Sequence, residues 1–195
     1  MYADTRDMSR EIIDWWFWDV PLISPKVIQE LNNHILKHYE HEEDKEYGAI
    51  NEDTGEYLKN ITPKVIKLKK MPEIYHDMIS MAFSVCHHEF GFTTFPPNIW
   101  DSALYSVYSG DVKGKYGKHI DHSRTLKFDI KMTFIMNLSM GEYEGGDLIV
   151  NDKLINFKTP GQAILFRSNL IHEVTPVTKG DRISLSYFIH GPRHP

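Results

Sequence analysis

Residues 159–190 read TPGQAILFRSNLIHEVTPVTKGDRISLSYFIH and decide the fold class. They contain three apolar, β-branched-rich runs, which are Gln162–Arg167, Leu170–Val174 and Arg182–His190. Asn, Pro and Gly residues, which favour turns, separate these runs. Short apolar runs with such breaks are typical of antiparallel strands, so this stretch predicts a β-rich core.

The same pattern of short apolar runs separated by turn residues extends back to Phe95-Pro96-Pro97, where the composition of the chain changes. Further strands are predicted at Trp100–Tyr108, Lys118–Asp121, Lys127–Asn137, Asp147–Val150 and Lys153–Phe157. The turn residues recur about every ten residues, which is the spacing of a sandwich or barrel.

The first half of the chain has a different pattern. Ile12–Ile23 (IIDWWFWDVPLI) predicts a buried strand, and Ser24-Pro25 then offers a helix cap followed by proline. Helices are predicted at about 25–40 and 72–89, where apolar residues recur at helical spacing. Thr62-Pro63 repeats the capping signal, and the polar stretch His41–Asn60 predicts a surface loop.

We therefore predict an α+β, mainly β protein with one domain, residues 1–195. Residues 1–95 would form a helical support layer and residues 96–195 the β core, because the helices carry too little apolar surface for a core of their own. No apolar run is long enough to cross a membrane. The start, MYADTRDMSREII, lacks the apolar stretch of a secretory signal.

Charge and cysteine content narrow the function classes. The net charge is −5; residues 1–95 hold 10 Lys/Arg against 17 Asp/Glu, and residues 96–195 hold 12 against 10. Neither half is basic enough to predict a nucleic-acid partner. The single cysteine, Cys86, excludes an internal disulfide and a cysteine-based zinc site, and it favours a cytoplasmic location.

Two histidines and one aspartate form a candidate metal site. His119 and Asp121 are two residues apart in a predicted strand, so both point to the same face. His172 lies in a later apolar strand. Two imidazoles and one carboxylate leave coordination positions open, as non-heme Fe(II) oxygenases require. Each residue alone is common by chance, but the joint pattern favours a metal site.

An arginine follows the second histidine. Arg182 opens the last predicted strand, and Ser184 lies on the same face two residues later. A guanidinium group binds a carboxylate with two hydrogen bonds and keeps its charge when buried. Arg182, aided by the Ser184 hydroxyl, is therefore the candidate for holding the distal carboxylate of a metal-chelating 2-oxo acid.

These residues resemble the iron- and 2-oxoglutarate-dependent dioxygenases, specifically their prolyl hydroxylase branch. The resemblance covers about half of the chain. The matching stretches are Tyr108-x7-Tyr116-x2-His119-x-Asp121, Thr133–Leu138, Glu144–Leu148, Pro160–Phe166, His172–Val177 and Gly180–Ser184.

The resemblance implies a double-stranded β-helix that couples the decarboxylation of 2-oxoglutarate to hydroxylation, with release of succinate and CO2. It places Fe(II) on His119, Asp121 and His172 and the distal carboxylate on Arg182, and it implies O2 as co-substrate and ascorbate as reductant. Aromatic positions of the family's pocket fall on Tyr108 and Tyr116. The second hydrogen-bond donor to 2-oxoglutarate stays open between Asn137, Thr133 and Tyr108.

Three classes of function remain. The favoured one is hydroxylation of a prolyl residue in a peptide or protein, with Tyr116 and Arg167 as substrate-binding candidates. The alternatives are the same chemistry on a free amino acid or other small molecule, and a cupin-type metal barrel that does not use 2-oxoglutarate. The glycine-bearing loop Ser109–Lys115 is expected to be mobile and to clamp an extended substrate.

Other residues that could bind metal or react are interpreted as structural. His34, His38 and His41 are expected on an exposed helix face, and Cys86 in an apolar core.

Overall fold

The computed structural model describes residues 13–38, 63–68, 73–96, 103–121 and 128–193. The predicted loop His41–Asn60 lies outside these residues, and so do Thr62 and Trp100. Two helices of at least 13 residues occur in the described part, α1 (Pro25–His38) and α2 (His76–His88). The strands there are β1 (Trp15–Trp18), β2 (Pro63–Leu68), β3 (Ala103–Ser109), β4 (Tyr116–His119), β5 (Phe128–Asn137), β6 (Glu144–Gly145), β7 (Leu148–Val150), β8 (Lys153–Ile155), β9 (Ala163–Arg167), β10 (His172–Val174), β11 (Val177–Lys179) and β12 (Asp181–Pro192).

The described strands form two larger antiparallel sheets and one small ribbon. The large sheet has the order β1-β9-β5-β12-β3-β2, and the small sheet has the order β4-β10-β7-β8. The ribbon pairs β11 with β6. Each strand predicted between Trp100 and His190 has a counterpart here, with ends that differ by a few residues.

One apolar cluster lies between the two sheets. Ile135, Ile164 and Phe166 come from the large sheet, and Val150 and Val174 come from the small one. Because side chains alternate along a strand, the neighbouring residues of the large sheet point the other way. This inter-sheet layer contains the candidate site described below.

A second cluster covers the other face of the large sheet. Met132, Phe134 and Met136 of β5 pack there with Ile28 and Ile35 of α1. Residues of α2 complete the same cluster, among them Met78, Ala82 and Cys86. Strand β5 is therefore buried on both faces, which explains its nearly continuous apolar sequence.

The helices begin close to their predicted positions. Helix α1 starts at Pro25, and the Ser24 side chain accepts a 3.4 Å hydrogen bond from the Val27 amide. The second predicted helix is a 3-10 turn, Glu73–Tyr75, followed by α2. No helix in the described part of the chain is long and apolar enough to cross a membrane.

The first half of the chain contributes more than helices. Pro63, interpreted from sequence as part of a helix-capping signal, instead opens strand β2 at one edge of the large sheet. The strand predicted over Ile12–Ile23 is confined to the four residues of β1 at the other edge, and Trp16 is partly exposed there. Proline is tolerated at the first residue of an edge strand, because one side of that strand needs no ladder hydrogen bond.

Candidate metal centre

The two histidines face each other across neighbouring strands. His119 of β4 and His172 of β10 are direct cross-strand partners, and their ring centroids are 4.1 Å apart. His119 Nδ1 lies 2.8 Å from the Gly117 carbonyl, and His172 Nδ1 lies 2.9 Å from the Leu170 carbonyl. A carbonyl can only accept, so both Nδ1 atoms carry the proton. In the neutral form of each ring, Nε2 therefore keeps a lone pair for a metal ion.

Asp121 completes the cluster. Its Oδ1 lies 3.6 Å from His119 Nε2, and its Oδ2 lies 3.4 Å from His172 Nε2. Its amide donates a 2.9 Å hydrogen bond to the Ser168 carbonyl, which fixes the backbone just beyond β4. The Thr133 hydroxyl donates a 2.6 Å hydrogen bond to Oδ2.

The three ligand atoms lie within 4.8 Å of one another, which brings together the residues that the sequence predicts as ligands. Within the described ranges, no other group of three such side chains is close enough to hold a metal ion. The set contains two imidazole nitrogens and one carboxylate oxygen. This donor set fits Fe(II) with open positions for further ligands.

Aromatic rings hold both imidazoles in place. Tyr116 stacks on His119 with centroids 3.7 Å apart and planes 14° from parallel. Phe166 meets His172 edge-on at 4.7 Å. The rings restrict rotation of the imidazoles, so the ligand geometry exists before a metal ion binds.

The three groups of the cluster shift one another's pKa values. Burial and the neighbouring His172 lower the pKa of His119 to about 4, so this ring is neutral at pH 7. Burial opposes ionisation of Asp121, but His172 and Thr133 among its neighbours hold the pKa of this carboxyl below its ordinary value. Burial also lowers the pKa of His172, yet the Asp121 charge outweighs this effect and raises it. A divalent cation would bind the deprotonated forms of all three groups.

Arg182 is buried in the same inter-sheet layer, with 1% of its surface exposed. Its Nη1 donates a 3.2 Å hydrogen bond to the Ser184 hydroxyl. Its Nε and Nη2 have no hydrogen-bond partner among the described residues. These two nitrogens form one edge of the guanidinium group, which matches the two oxygens of a carboxylate. A buried, unpartnered edge of this kind fits the distal carboxylate of 2-oxoglutarate.

Tyr108 lies beside this arginine, as its cross-strand partner in β3. The guanidinium carbon is 5.1 Å from the Tyr108 ring centroid and 5.8 Å from that of Phe157. Burial raises the pKa of Tyr108, and the Arg182 charge opposes the rise. The two rings enclose the guanidinium group and exclude water from it, which strengthens its interaction with an anion.

Two predicted pocket residues are occupied elsewhere. The Asn137 side chain donates to the Phe157 carbonyl at 3.2 Å and accepts from the Ser139 amide at 2.9 Å, so both of its polar atoms hold the turn after β5. Arg167 lies on the helix-side face of β9, between the rings of Phe90 and Phe92 at 5.6 and 5.1 Å. Its Nε donates to the Ile13 carbonyl, so the structure does not bring Arg167 into the inter-sheet layer.

The structure forms Ser109–Lys115 into a hydrogen-bonded turn, and its predicted mobility stays a prediction. Gly110 donates to the Gly180 carbonyl at 2.8 Å, Gly114 donates to the Ser109 carbonyl at 2.8 Å, and Gly114 accepts from Val177. A Cβ on Gly110 would lie 2.8 Å from the Lys179 backbone. This tight turn closes the end of the barrel beside Asp181, next to Arg182 rather than next to the metal ligands.

Sequence reasoning missed two contributors to the site. Ser168 holds the Asp121 backbone, and its hydroxyl lies 3.3 Å from that of Thr133. Tyr143 lies beside Arg182, in the turn that precedes the Gly145-Gly146 pair. A tyrosine two residues before a glycine pair signals a position close to the backbone turn, but the spacing alone does not indicate which side chain it meets.

Comparison with known proteins agrees with this site. Residues 103–190 match the model of the 2OG-Fe(II) oxygenase superfamily. The matched segment contains His119, Asp121, His172 and Arg182. The resemblance predicted from the sequence is thereby confirmed.

A curated relative points to the same class. The chain is 31% identical over 109 residues to a PKHD-type hydroxylase of Nitrosomonas europaea, covering 50% of this chain and 47% of that protein. The chain spans about half the length of the curated relatives it matches.

Solved prolyl hydroxylases share the fold over most of the chain. The viral collagen prolyl hydroxylase of Paramecium bursaria chlorella virus 1, in its 2OG complex, superposes with a TM-score of 0.65 at 15% identity, covering 92% of this chain and 97% of that one. A prolyl hydroxylase of Trichoplax adhaerens, in complex with a peptide fragment of the hypoxia inducible factor oxygen degradation domain, gives 0.63 at 16% identity, covering 90% and 83%. The double-stranded β-helix is confirmed.

Proposed function

We propose that this protein is an Fe(II)- and 2-oxoglutarate-dependent dioxygenase that hydroxylates a prolyl residue in a peptide or protein. The observation that carries the proposal is the pairing of two features in one inter-sheet layer. His119, Asp121 and His172 converge there, and buried Arg182 presents two unpartnered donors there. A metal barrel without a 2-oxo acid has no need for that arginine.

The residues of the site have separate roles in this reaction. Fe(II) and 2-oxoglutarate, when bound, supply the oxidising chemistry in which O2 is consumed and succinate and CO2 are released. Arg182 holds the distal carboxylate and orients the co-substrate. Thr133 keeps the Asp121 carboxylate turned toward the two imidazoles. The buried rings of Tyr108 and Phe166 exclude water from this layer.

A peptide substrate is favoured over a free amino acid. A free amino acid needs a cation for its carboxylate. Arg167, the cation predicted for the pocket in addition to Arg182, is held on the opposite face of β9. A prolyl residue within a chain is neutral and needs no such partner. The peptide complex of the Trichoplax enzyme supports the same substrate class.

The proposal extends to the whole chain. β1 and β2 pair in the same sheet as the strands of residues 103–192, which supports a single domain over residues 1–195. A cytoplasmic location belongs to the proposal and is supported by one buried, free cysteine, Cys86.

Mass spectrometry tests this function. The protein is incubated with Fe(II), 2-oxoglutarate and ascorbate, together with proline-containing peptides, matched peptides with alanine in place of proline, or free L-proline. We expect one added oxygen atom on the proline peptides, matched by succinate, and none on the alanine peptides. Asp121→Ala is the inactive control.

Two outcomes would contradict the proposal. Oxygen addition to free L-proline but to none of the peptides would assign the enzyme to small-molecule hydroxylation. Failure of the metal-loaded protein to bind 2-oxoglutarate would remove the oxygenase assignment itself.

A further inference from the structure

Tyr143 lies next to the guanidinium group of Arg182. Its ring packs at the edge of the inter-sheet cluster, in the turn between β5 and β6. A Cβ built on Gly146 would lie 3.0 Å from Arg182 Cδ and 3.4 Å from Tyr143 Cε2. The glycine therefore provides the space in which these two side chains come together.

The hydroxyl of Tyr143 lies among polar groups close to Arg182. It donates a 3.2 Å hydrogen bond to the Phe157 carbonyl. Burial raises the pKa of Tyr143, while the nearby Arg182 charge opposes the rise. The phenol is therefore protonated at neutral pH and close to the positive charge that a carboxylate would approach.

The proton of this hydroxyl is free to change its acceptor. The Phe157 carbonyl also accepts a 3.2 Å hydrogen bond from Asn137 Nδ2. If the Tyr143 proton turned to another acceptor, the carbonyl would keep one donor, so no buried polar group would be left unsatisfied. Asn137, in contrast, has both of its polar atoms engaged.

A lysine holds the Tyr143 ring in this position. Lys158 Nζ lies 4.4 Å above the ring centroid and 2.9 Å from the Asp147 carboxylate. The same ammonium donates to the Gly145 carbonyl. The Lys158 side chain thus connects the Tyr143 ring to the glycine turn beside it. Because the ring is already held in place, Tyr143 loses less conformational entropy when a ligand binds.

We propose that the Tyr143 hydroxyl donates a hydrogen bond to the distal carboxylate of 2-oxoglutarate, next to the free Nε and Nη2 of Arg182. The inference rests on the proposed function and names the second donor of that subsite. It assigns to Tyr143 the role for which the sequence offered Asn137, Thr133 or Tyr108. Thr133 is bound to Asp121, and the Tyr108 ring stacks beside the guanidinium group.

Ligand binding to inactive metal-loaded protein tests the inference without turnover. Mn(II)-loaded wild type and Tyr143→Phe are titrated anaerobically with 2-oxoglutarate and, separately, with pyruvate, by calorimetry. Pyruvate has the same chelating end but no distal carboxylate. We expect Tyr143→Phe to weaken 2-oxoglutarate binding by about ten- to a hundred-fold, as for the loss of a hydrogen bond to a charged group, and to leave Mn(II) and pyruvate binding unchanged.

Tyr105→Phe is the matched control. Tyr105 is a buried tyrosine that packs in the helix-side cluster, and its hydroxyl has no hydrogen-bond partner among the described residues. Its removal should leave 2-oxoglutarate affinity unchanged. Lys158→Met gives a second, independent variant, for which we expect a smaller loss that is again confined to 2-oxoglutarate.

The outcomes separate the two proposals. Equal 2-oxoglutarate affinity in wild type and Tyr143→Phe would overturn the role of Tyr143 while leaving the oxygenase intact. Equal losses for 2-oxoglutarate and pyruvate would show that Tyr143 only supports the fold, which also overturns it. A wild type that binds Mn(II) but not 2-oxoglutarate would overturn the proposed function, and the inference with it.

Discussion

The Thr133 hydroxyl and the Asp121 carboxylate are joined by a 2.6 Å hydrogen bond. Thr133 lies in the middle of β5, whereas Asp121 follows β4 in the other sheet, so this bond connects the two sheets at the metal centre. The large sheet thereby sets the orientation of a ligand that belongs to the small one.

Removal of that hydroxyl should weaken the metal site. Thr133→Val keeps the shape of the side chain but deprives Asp121 Oδ2 of its donor. Loss of a hydrogen bond that orients a ligand typically costs roughly 10–100-fold in metal affinity, and we expect that range for Mn(II) measured by calorimetry. Thr178→Val on exposed β11 is the control and should bind as wild type does. Wild-type affinity in Thr133→Val would contradict the orienting role.

Metal binding should stabilise the fold through the three predicted ligands. Because an ion binds the native state and not the unfolded chain, added Mn(II) should raise the melting temperature of the wild type. The double variant His119→Ala, His172→Ala should lose this increase. His34→Ala, His38→Ala is the matched control, since these rings lie 4.6 Å apart on α1 without a third ligand among the described residues. An undiminished Mn(II) effect in the first variant would place the ion elsewhere.

Arg182 should control the requirement for 2-oxoglutarate. Arg182→Ala removes a charge-assisted bond to the distal carboxylate, so the 2-oxoglutarate concentration for half-maximal turnover should rise roughly ten- to a hundred-fold. Lysine should restore the affinity only in part, because an ammonium lacks the paired donors of guanidinium. Metal affinity should stay constant in both variants. Turnover with an unchanged 2-oxoglutarate requirement in Arg182→Ala would exclude this arginine as the carboxylate partner.

Gly146 should be intolerant of a side chain. Its φ is +60°, and a Cβ there would lie 2.8 Å from Val177 Cγ2 and 3.0 Å from Arg182 Cδ. A non-glycine residue in this left-handed region costs about 1–2 kcal/mol before any clash is counted. We expect Gly146→Ala to lower both the melting temperature and 2-oxoglutarate affinity. Gly141→Ala, where a Cβ would meet nothing within 4 Å, should change neither; equal effects of the two changes would refute the steric argument.

His190 should make the protein less stable in acid. Burial lowers the pKa of this half-buried ring, and hydrogen bonding to Phe188 opposes the shift only in part. The unfolded chain then binds a proton more readily than the native one, so the free energy of unfolding falls as pH drops below about 6.5.

Comparison with a non-titrating ring isolates this effect. His190→Phe keeps an aromatic ring against Phe128, which the wild-type ring meets edge-on at 5.0 Å. Denaturant unfolding between about pH 7.5 and pH 5 should show the wild type losing more stability than the variant. Parallel pH profiles of the two proteins would show that His190 does not contribute.

The strands and the candidate metal ligands were predictable because both follow from local rules. Alternation along a strand places His119 and Asp121 on one face, and turn residues delimit each run around His172 and Arg182. Both features are present in the structure, although β4 ends at His119 rather than at Asp121. Such features depend on a few neighbouring residues and on the periodicity of the backbone.

The errors concern properties that depend on distant parts of the chain. Pro63 could open a helix or an edge strand, and only its pairing with Tyr108 decides between them. Arg167 alternates with Phe166 and Ser168, so its face depends on how β9 joins β5. The turn at Ser109–Lys115 needs glycine at Gly110 because the backbone of Lys179 comes close to it, which composition alone does not reveal.

The order of strands in the large sheet has a consequence for assembly. In the described part of the chain, β1 and β2 cover the outer edges of β9 and β3, although neither carries a ligand. Without them, the apolar strand Ala163–Arg167 would present an unsatisfied row of backbone amides and carbonyls to solvent, which is a template for pairing with another molecule. In the folded protein, β1 and β2 thus block the outer edges of β9 and β3 from pairing with a strand of another molecule.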